Sequence, residues 1–230
     1  MLLKFRNKYY RYRWFRLASR VFYTAAIPVL FVWVCVFNGG RVTGAQNMKG
    51  LKSAVTICNH VHTMDSALVA VAFYPRKLVF PTMPEKVDYL FPGIFMSLLG
   101  CISVPRARNE TNSFFEELET FLTEGRVVHF FPEGFISHYG SELQEFKRGA
   151  FHLAARAHVP ILPITISFHK PCGFYRLLRR KPVMYLTIGE PMRPASEDTR
   201  EDEQIRMKSA YEQMVWMLQN DGQGGGSRAV

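Results

Sequence analysis

One stretch of the sequence, residues 53–65, restricts the possible fold more than any other. Ala54–Cys58 is a run of mostly apolar, β-favouring residues, which indicates a buried strand. Asn59 tolerates the tight backbone conformation needed to leave a strand, and a helical pattern begins at Asp65. Open α/β sheets keep their reacting groups at the carboxyl edge of the strands. The stretch therefore predicts an α/β sheet with His60 at its carboxyl edge.

His60 and Asp65 are of the residue types that form a general base and its orienting carboxylate. The unperturbed pKa of an imidazole lies near neutrality, which suits His60 to removing a proton from a hydroxyl. If the chain turns into a helix after His60, the Asp65 carboxylate can fold back onto one ring nitrogen and leave the other free. The same spacing also fits Asp65 as a helix cap and His60 as an ordinary loop residue.

Two other chemistries are open to the same stretch. Cys58 shares strand parity with His60, so its thiol could project the same way and serve as a covalent nucleophile. His60, His62 and Asp65 could instead ligate zinc, since two imidazoles and a carboxylate are suitable ligands. The spacing by itself leaves these alternatives open.

Four blocks of the sequence, taken in order, resemble those of the glycerolipid acyltransferase family. The blocks are Asn59-His60 with Asp65, Gly100 to Arg106, Phe131-Pro132-Glu133-Gly134 with Leu143 to Phe151 beyond it, and Val159 to Ile164. The resemblance runs from about Val42 to Met192, and the nearest branch looks like the bacterial 1-acylglycerol-3-phosphate acyltransferases. It implies a mixed, mostly parallel sheet flanked by helices, with an amino-terminal two-helix membrane anchor.

The resemblance also implies a reaction. A fatty acyl group would pass from acyl-CoA or acyl carrier protein to the free hydroxyl of 1-acylglycerol-3-phosphate, giving phosphatidic acid for phospholipid synthesis. His60 would be the base and Asp65 its orienting partner, and no cofactor beyond the acyl donor is expected. The alternatives are another lysophospholipid or a lyso-aminolipid as acceptor, and a non-catalytic membrane lipid-binding module.

Five residues in and near these blocks are expected to bind the substrates. They are Asn59, Arg106, Glu133, Gly134 and Lys147. The planar guanidinium of Arg106 suits bidentate phosphate binding, and the family's arginine at this place is thought to hold the acceptor's phosphate. Glu133 is expected to pair with Arg106 or to accept the glycerol hydroxyl, and Gly134 allows close backbone approach. Lys147 would add positive potential at the phosphate, or be an ordinary solvated charge at a helix end.

This sequence departs from the family pattern at two places. Phe135-Ile136-Ser137 stands where the family continues with a Thr-Arg-Ser-like stretch, and His62 stands where a serine is frequent. The missing arginine leaves the acceptor headgroup open, with Arg108 as a second candidate for the phosphate.

The amino terminus is strongly basic and aromatic, and the whole chain has a formal charge of +10. Residues 1–20 carry seven Lys or Arg side chains and no acid. This mixture fits nucleic acid or a bilayer surface. The uncharged run Val21–Phe37 follows, so we expect a phospholipid bilayer as the partner and no nucleic acid.

The uncharged run is short for a membrane span. Seventeen residues of helix reach about 26 Å, against a hydrocarbon core of about 30 Å. A span would also place the domain outside the cell, because the basic residues 1–20 would stay in the cytoplasm. We therefore expect two helices lying in or dipping into one leaflet, on the cytoplasmic face of the cell membrane. A signal peptide cleaved near Thr43-Gly44-Ala45 is the other interpretation.

The rest of the chain reads as one α/β domain. Its predicted elements include a first strand at Arg41–Gln46, a helix at Asp65–Phe73 and a strand at Val183–Ile188. The predicted boundaries are 1–40 for the anchoring helices, 41–220 for the acyltransferase domain and 221–230 for a disordered tail. The four cysteines contain no Cys-x-x-Cys pair, which favours a reducing compartment. Glu85–Leu99 is expected to form a helix broken at Pro92-Gly93, either in the core or as an acyl-tunnel wall or membrane face. A basic cluster could face lipid headgroups or the donor's phosphates: Arg176, Arg179, Arg180 and Lys181.

Overall fold

The computed structural model describes residues 12–87, 90–140, 142–178 and 180–221. The strands are β1 (Arg41–Thr43), β2 (Ala54–Cys58), β3 (Leu78–Thr82), β4 (Cys101–Ser103), β5 (Val127–Phe130), β6 (Ile161–His169) and β7 (Val183–Ile188). The α-helices are α1 (Arg13–Phe31), α2 (Asp65–Phe73), α3 (Pro84–Val87), α4 (Leu90–Leu99), α5 (Thr111–Thr123), α6 (Gly149–Arg156), α7 (Phe174–Leu178) and α8 (Thr199–Asn220).

The strands form one mixed sheet in the order β1-β7-β6-β2-β5-β3-β4. Only β6 and β7 pair antiparallel, and the other neighbours run parallel. All five residues of β2 are buried, as expected for a central strand covered on both faces. The predicted α/β fold with a mostly parallel sheet is confirmed, and the ends of β2 and β5 lie side by side.

Side-chain alternation along β2 divides the core into two layers. Val55 and Ile57 pack with the apolar faces of α5, α6 and α8, whereas Cys58 faces the layer formed by α1 and α2. Successive strand side chains point to opposite faces of a sheet. Thr56 and His60 therefore lie on the same side of the sheet as Cys58 and α2, and the candidate site is on that side.

The amino-terminal region is one continuous helical unit within the described residues. α1 continues directly into a π-helix at Val32–Phe37. By length and composition this 25-residue unit could cross a membrane; it is about 37 Å long at 1.5 Å per residue. The expected two-helix anchor is not confirmed in the described chain. Residues 1–11 of the basic segment and residues 222–230 of the predicted tail lie outside it.

α1 lies against the domain with one face. Phe15, Ser19, Tyr23 and Ile27, spaced four residues apart, are buried on that face. The Ser19 hydroxyl donates to the Leu98 carbonyl oxygen at 2.8 Å, which joins α1 to α4. The opposite face leaves large apolar side chains exposed, including Trp14, Leu17, Val21 and Val29. One face of α1 is thus buried against the domain, and the other face exposes apolar side chains.

Two local predictions are wrong, and one short helix has no counterpart among the predictions. The expected break at Pro92-Gly93 is absent, because α4 begins at Leu90 and a proline in the first turn has no helical N–H bond to lose. The first strand ends at Thr43, not at Gln46. Gly44, at φ +77°, turns the chain so close to the Ile188 carbonyl that a Cβ would lie 2.1 Å from its oxygen. α7 was not anticipated at all.

Candidate active site

The His60 imidazole and the Asp65 carboxylate meet at the carboxyl edge of the sheet. The Nδ1 atom of His60 lies 2.9 Å from Oδ2 of Asp65. The same oxygen accepts hydrogen bonds from the peptide N–H groups of Val61 at 2.7 Å and His62 at 2.8 Å. Nδ1 therefore donates its proton to the carboxylate, and Nε2 is left with the lone pair that a general base requires.

Local sequence explains this arrangement. Asp65 is the first residue of α2, and the chain between Asn59 and Met64 turns back so that its peptide N–H groups point at the carboxylate. A carboxylate at a helix N-terminus is also favoured by the helix dipole. Asp65 is fully buried, whereas the His60 side chain retains 15% of its exposure. The base is thus held from behind and open to a substrate on one side.

Phe131, the first residue after the neighbouring strand β5, supports the ring of His60. The two rings are stacked, with centroids 4.0 Å apart and planes 17° from parallel. Behind Phe131, His129 packs edge-on at 4.7 Å. The imidazole of His60 is therefore fixed by a carboxylate at its Nδ1 atom and by an aromatic face against its plane.

His129 is a buried residue of the site that sequence reasoning missed. Its Nδ1 atom lies 2.8 Å from the hydroxyl of Thr56, its register partner on β2. Burial lowers the pKa of His129 to about 3, and the nearby His60 adds to this effect. It stays neutral at physiological pH. A sequence signal existed: Thr56 and His129 are each a polar residue in an otherwise apolar strand, three positions before Asn59 and two positions before Phe131.

Glu133 lies in the loop that leaves β5, and it is 2% exposed. Burial raises the pKa of Glu133 to about 7, while peptide N–H groups of His60 and Gln144 oppose the rise and Asp65 adds to it. Those N–H groups face the carboxyl group without forming well-aligned hydrogen bonds. Glu133 is therefore a second carboxyl group at the site, close to its protonation midpoint at neutral pH.

Gly134 and Lys147 are brought together directly beside Glu133. The peptide N–H of Lys147 donates to the Pro132 carbonyl at 2.8 Å. The lysine side chain then lies over Gly134, where a Cβ would stand 2.3 Å from Nζ. Gly134 also has a φ of +78°, a conformation that favours glycine. Lys147 thus places a cation beside the loop that carries Glu133.

Arg106 lies elsewhere on the same edge. It follows β4, three strand positions from β2, and its guanidinium pairs with Glu85 instead of the expected Glu133. The predicted Arg106–Glu133 pair is therefore wrong, because β4 is an edge strand and β3 lies between it and β5, whose loop carries Glu133. The Arg106 side chain is 68% exposed and remains accessible to a ligand. Arg108 is exposed as well.

The Asn59 side chain joins two strands. Its amide nitrogen donates to the Ile166 carbonyl at 2.9 Å, and its oxygen accepts from the Ile166 N–H at 2.7 Å. The amide thus extends the ladder between β2 and β6 where β2 itself has ended. Asn59 holds the start of the His60 loop in place, and its expected substrate-binding role stays a prediction.

The divergent segment after Gly134 forms part of the site wall. The Ser137 N–H donates to the His60 carbonyl at 2.8 Å, and the Tyr139 N–H donates to that of Val61 at 3.0 Å. The Tyr139 ring packs edge-on against His62. Phe135 is 53% exposed on this segment. The stretch that departs from the family pattern therefore touches the base's own loop.

The two alternative chemistries find little support. Burial raises the pKa of the Cys58 thiol well above its usual value, and Asp65 and Glu133 add to the shift, which opposes a thiolate nucleophile. The Nδ1 atom of His62 accepts a hydrogen bond from the Met64 N–H at 3.1 Å. In the described ranges, no group of three or more His, Cys, Asp or Glu side chains is arranged to hold a metal ion.

Known proteins resemble this chain in sequence and in structure. A family model described as acyltransferase matches residues 40–167. A human 1-acyl-sn-glycerol-3-phosphate acyltransferase alpha is 31% identical over 197 residues, covering 81% of this chain and 67% of the relative. A 1-acyl-sn-glycerol-3-phosphate acyltransferase of Saccharomyces cerevisiae is 32% identical over 170 residues, covering 65% and 55%. The chain thus spans about half to two thirds of the length of these relatives.

The fold has a solved counterpart. The crystal structure of PlsC from Thermotoga maritima, described as a 1-acyl-sn-glycerophosphate acyltransferase, superposes with a TM-score of 0.62. That match covers 91% of this chain and 80% of the other chain at 22% identity, and it shows that the two proteins share a fold. The matched family model includes β2, the His60–Asp65 pair and the Glu133 loop, and covers more than half of the chain. On the strength of these matches, the chain belongs to the acyltransferase family.

Proposed function

We propose that this protein is a 1-acylglycerol-3-phosphate O-acyltransferase. It moves a fatty acyl group from acyl-CoA or acyl carrier protein to the free hydroxyl of the lysolipid, giving phosphatidic acid for phospholipid synthesis. The observation that carries the proposal is the 2.9 Å contact between His60 Nδ1 and Asp65 Oδ2, which leaves Nε2 free to accept a proton. The names of the human and yeast relatives supply the reaction and the acceptor.

The chemistry requires no covalent acyl-enzyme. His60 Nε2 takes the proton of the lysolipid hydroxyl as that oxygen attacks the thioester carbonyl carbon. The tetrahedral intermediate collapses with cleavage of the carbon–sulfur bond, and the imidazolium returns its proton to the departing thiolate. The buried Asp65 stabilises the imidazolium in between. The thioester is already an activated acyl donor, so no further cofactor is needed.

Two cations are available for the acceptor's phosphate. Lys147 lies over Gly134 beside Glu133, and Arg106 is exposed at the end of β4. A protonated Glu133 could donate a hydrogen bond to an acceptor oxygen, and an ionised one could accept from its hydroxyl. Both states are accessible near neutral pH, because burial raises the pKa of this group to about 7.

Another lysophospholipid, or a lyso-aminolipid, is the second candidate acceptor. Phe135-Ile136-Ser137 presents an exposed aromatic ring where the family pattern has an arginine. Since the Ser137 N–H is bonded to the His60 carbonyl, this segment is placed to contact an acceptor headgroup. An apolar wall in place of a cation would weaken selection for a bare phosphate.

The location that fits these substrates is the cytoplasmic face of the cell membrane. The outer face of α1 presents apolar side chains, while its inner face is packed on the domain. A helix held along the domain in this way suits a protein that rests on one leaflet, where lysolipids reside and soluble acyl donors can approach.

His60→Ala tests the proposed function. We expect the purified variant in detergent to lose about 10²–10⁴-fold in transfer from labelled acyl-CoA, because the general base is removed. The assay uses a panel of lysolipids with products separated by chromatography, so that the acceptor is identified at the same time. His158→Asn is the matched control, since His158 is exposed and has a positive φ that asparagine tolerates. Wild-type rates in a folded His60→Ala protein would refute the assignment.

A further inference from the structure

The segment between β6 and β7, residues 170–182, carries an unusual surface. It contains no acidic residue. Among its described side chains, Arg176, Arg180 and Lys181 are exposed, and Arg179 lies outside the described residues. Between them Leu177 is 84% exposed, more than any other large apolar side chain among the described residues. A protruding leucine surrounded by cations suits an interface between apolar and anionic environments.

This β6–β7 segment lies at the same edge of the sheet as His60. β6 runs parallel to β2, with Ile164 beside Cys58. β6 then continues five residues to His169, about 16 Å at 3.3 Å per residue. The segment therefore projects beyond the sheet on the side where the candidate base is found.

The segment is also joined to the carboxyl end of the amino-terminal helical unit. The Tyr175 hydroxyl lies 2.7 Å from the Val36 carbonyl oxygen and 3.1 Å from that of Cys35. Trp33, Val36 and Phe37 are exposed at this end of the unit. The apolar outer face of α1 and the β6–β7 segment thus meet at one place.

We infer that the β6–β7 segment is a second membrane contact, in which Leu177 enters the bilayer interface and the surrounding cations bind anionic lipid headgroups. Together with α1, it holds the carboxyl edge of the sheet, and His60 with it, toward the membrane surface. Cations alone would serve the phosphates of a soluble acyl donor equally well. An almost fully exposed leucine, continuous with the apolar face of α1, favours the lipid surface.

The electrostatic part is tested by neutralising three cations: Arg176→Gln, Arg180→Gln and Lys181→Gln in one protein. Each basic residue near an anionic surface changes partitioning roughly fivefold, so we expect at least a tenfold loss of binding to vesicles containing phosphatidylglycerol. Binding to phosphatidylcholine vesicles should be unchanged, and the difference should shrink in high salt. Activity in detergent reports on the proposed function separately.

The matched control neutralises three exposed cations near the opposite edge of the sheet: Lys49, Lys52 and Arg193. This protein should bind anionic vesicles like the wild type. Equal losses in both triple variants would overturn the proposal, since they would indicate a net-charge effect. Loss of coenzyme A binding with unchanged vesicle binding would overturn it as well, by assigning the cluster to the donor.

The insertion of Leu177 is tested without changing any charge. In a Cys35→Ala, Cys172→Ser protein, Leu177→Cys is labelled with an environment-sensitive fluorophore, and Ser209→Cys on the exposed side of α8 serves as the control site. Adding anionic vesicles should shift the emission of the label at position 177 to shorter wavelength and leave that at position 209 unchanged. An unshifted label at position 177 on vesicle-bound protein would overturn the proposal.

Discussion

Asp65, at the start of α2, and Glu133, in the loop after β5, are both buried carboxyl groups that follow adjacent parallel strands, yet their environments differ. Asp65 receives three well-aligned donors on one oxygen: His60 Nδ1 and the peptide N–H groups of Val61 and His62. Glu133 faces peptide N–H groups that are poorly aligned, and burial raises its pKa to about 7. The two buried carboxyl groups thus differ in the hydrogen-bond donors that reach them.

The difference indicates two tasks at one edge. Asp65 holds the imidazole through Oδ2, whereas both oxygens of Glu133 are buried without a hydrogen-bond partner among the described residues. The acidic partner that the family resemblance suggested for Arg106 is supplied by Glu85 instead. The two loops meet at Phe131, which begins the Glu133 loop and stacks on His60.

Substitution of Asp65 should have the largest effect on turnover. Asp65→Asn removes the charge that stabilises the imidazolium and leaves the tautomer of His60 undefined, so we expect a 10²–10⁴-fold loss of turnover. Steady-state kinetics on folded protein measures the loss. Asp198→Asn is the control, because Asp198 also accepts two helix N–H bonds, from Arg200 and Glu201, away from the site. An Asp65→Asn enzyme within threefold of wild type would show that orientation comes from Phe131 alone.

Replacing the Glu133 carboxyl group should increase the stability of the folded protein at alkaline pH. A carboxyl pKa raised from 4.5 to about 7 by folding means that the folded state loses stability as pH rises through this window. Glu133→Gln removes the penalty, so we expect up to about 3 kcal/mol greater stability at pH 8 and little change at pH 4. Denaturant unfolding across this range measures it.

Glu203→Gln is the control for the direction of this stability change. Glu203 is equally buried but is paired with Arg148 and His152, so its loss should destabilise the protein. A Glu133→Gln protein that is less stable than wild type at pH 8 would mean that Glu133 is ionised and well paired there.

The smallest expected effect is at the contact between the two loops. Phe131→Leu removes the ring stacked on His60, and such aromatic contacts are worth about 0.5–1.5 kcal/mol. We therefore expect roughly a two- to tenfold loss in kcat with KM little changed. Phe130→Leu, on the other face of β5, should leave kcat unaltered. Equal losses in both variants would attribute the effect to the strand and not to the stacking.

Local patterns in the sequence were sufficient for most of the scaffold. The helix Asp65–Phe73 and the strand Val183–Ile188 were predicted with the bounds that the structure has. Periodic apolar residues set these elements, and apolar burial dominates folding free energy. The features that differ from the predictions depend on contacts distant in the sequence. β1 ends early where Gly44 lies against Ile188, and α7 lies beside the end of the amino-terminal helical unit.

The sequence by itself determined the sheet class, the base at the end of β2 and the carboxylate five residues later, because these depend on contacts between near neighbours in the chain. Only the tertiary structure decided what surrounds them. The strand order brought Phe131, His129 and Glu133 to His60 and left Arg106 beside Glu85. The docking of α1 decided which of its faces is exposed. Such choices depend on which strands and helices become neighbours, and no local pattern of residues records that.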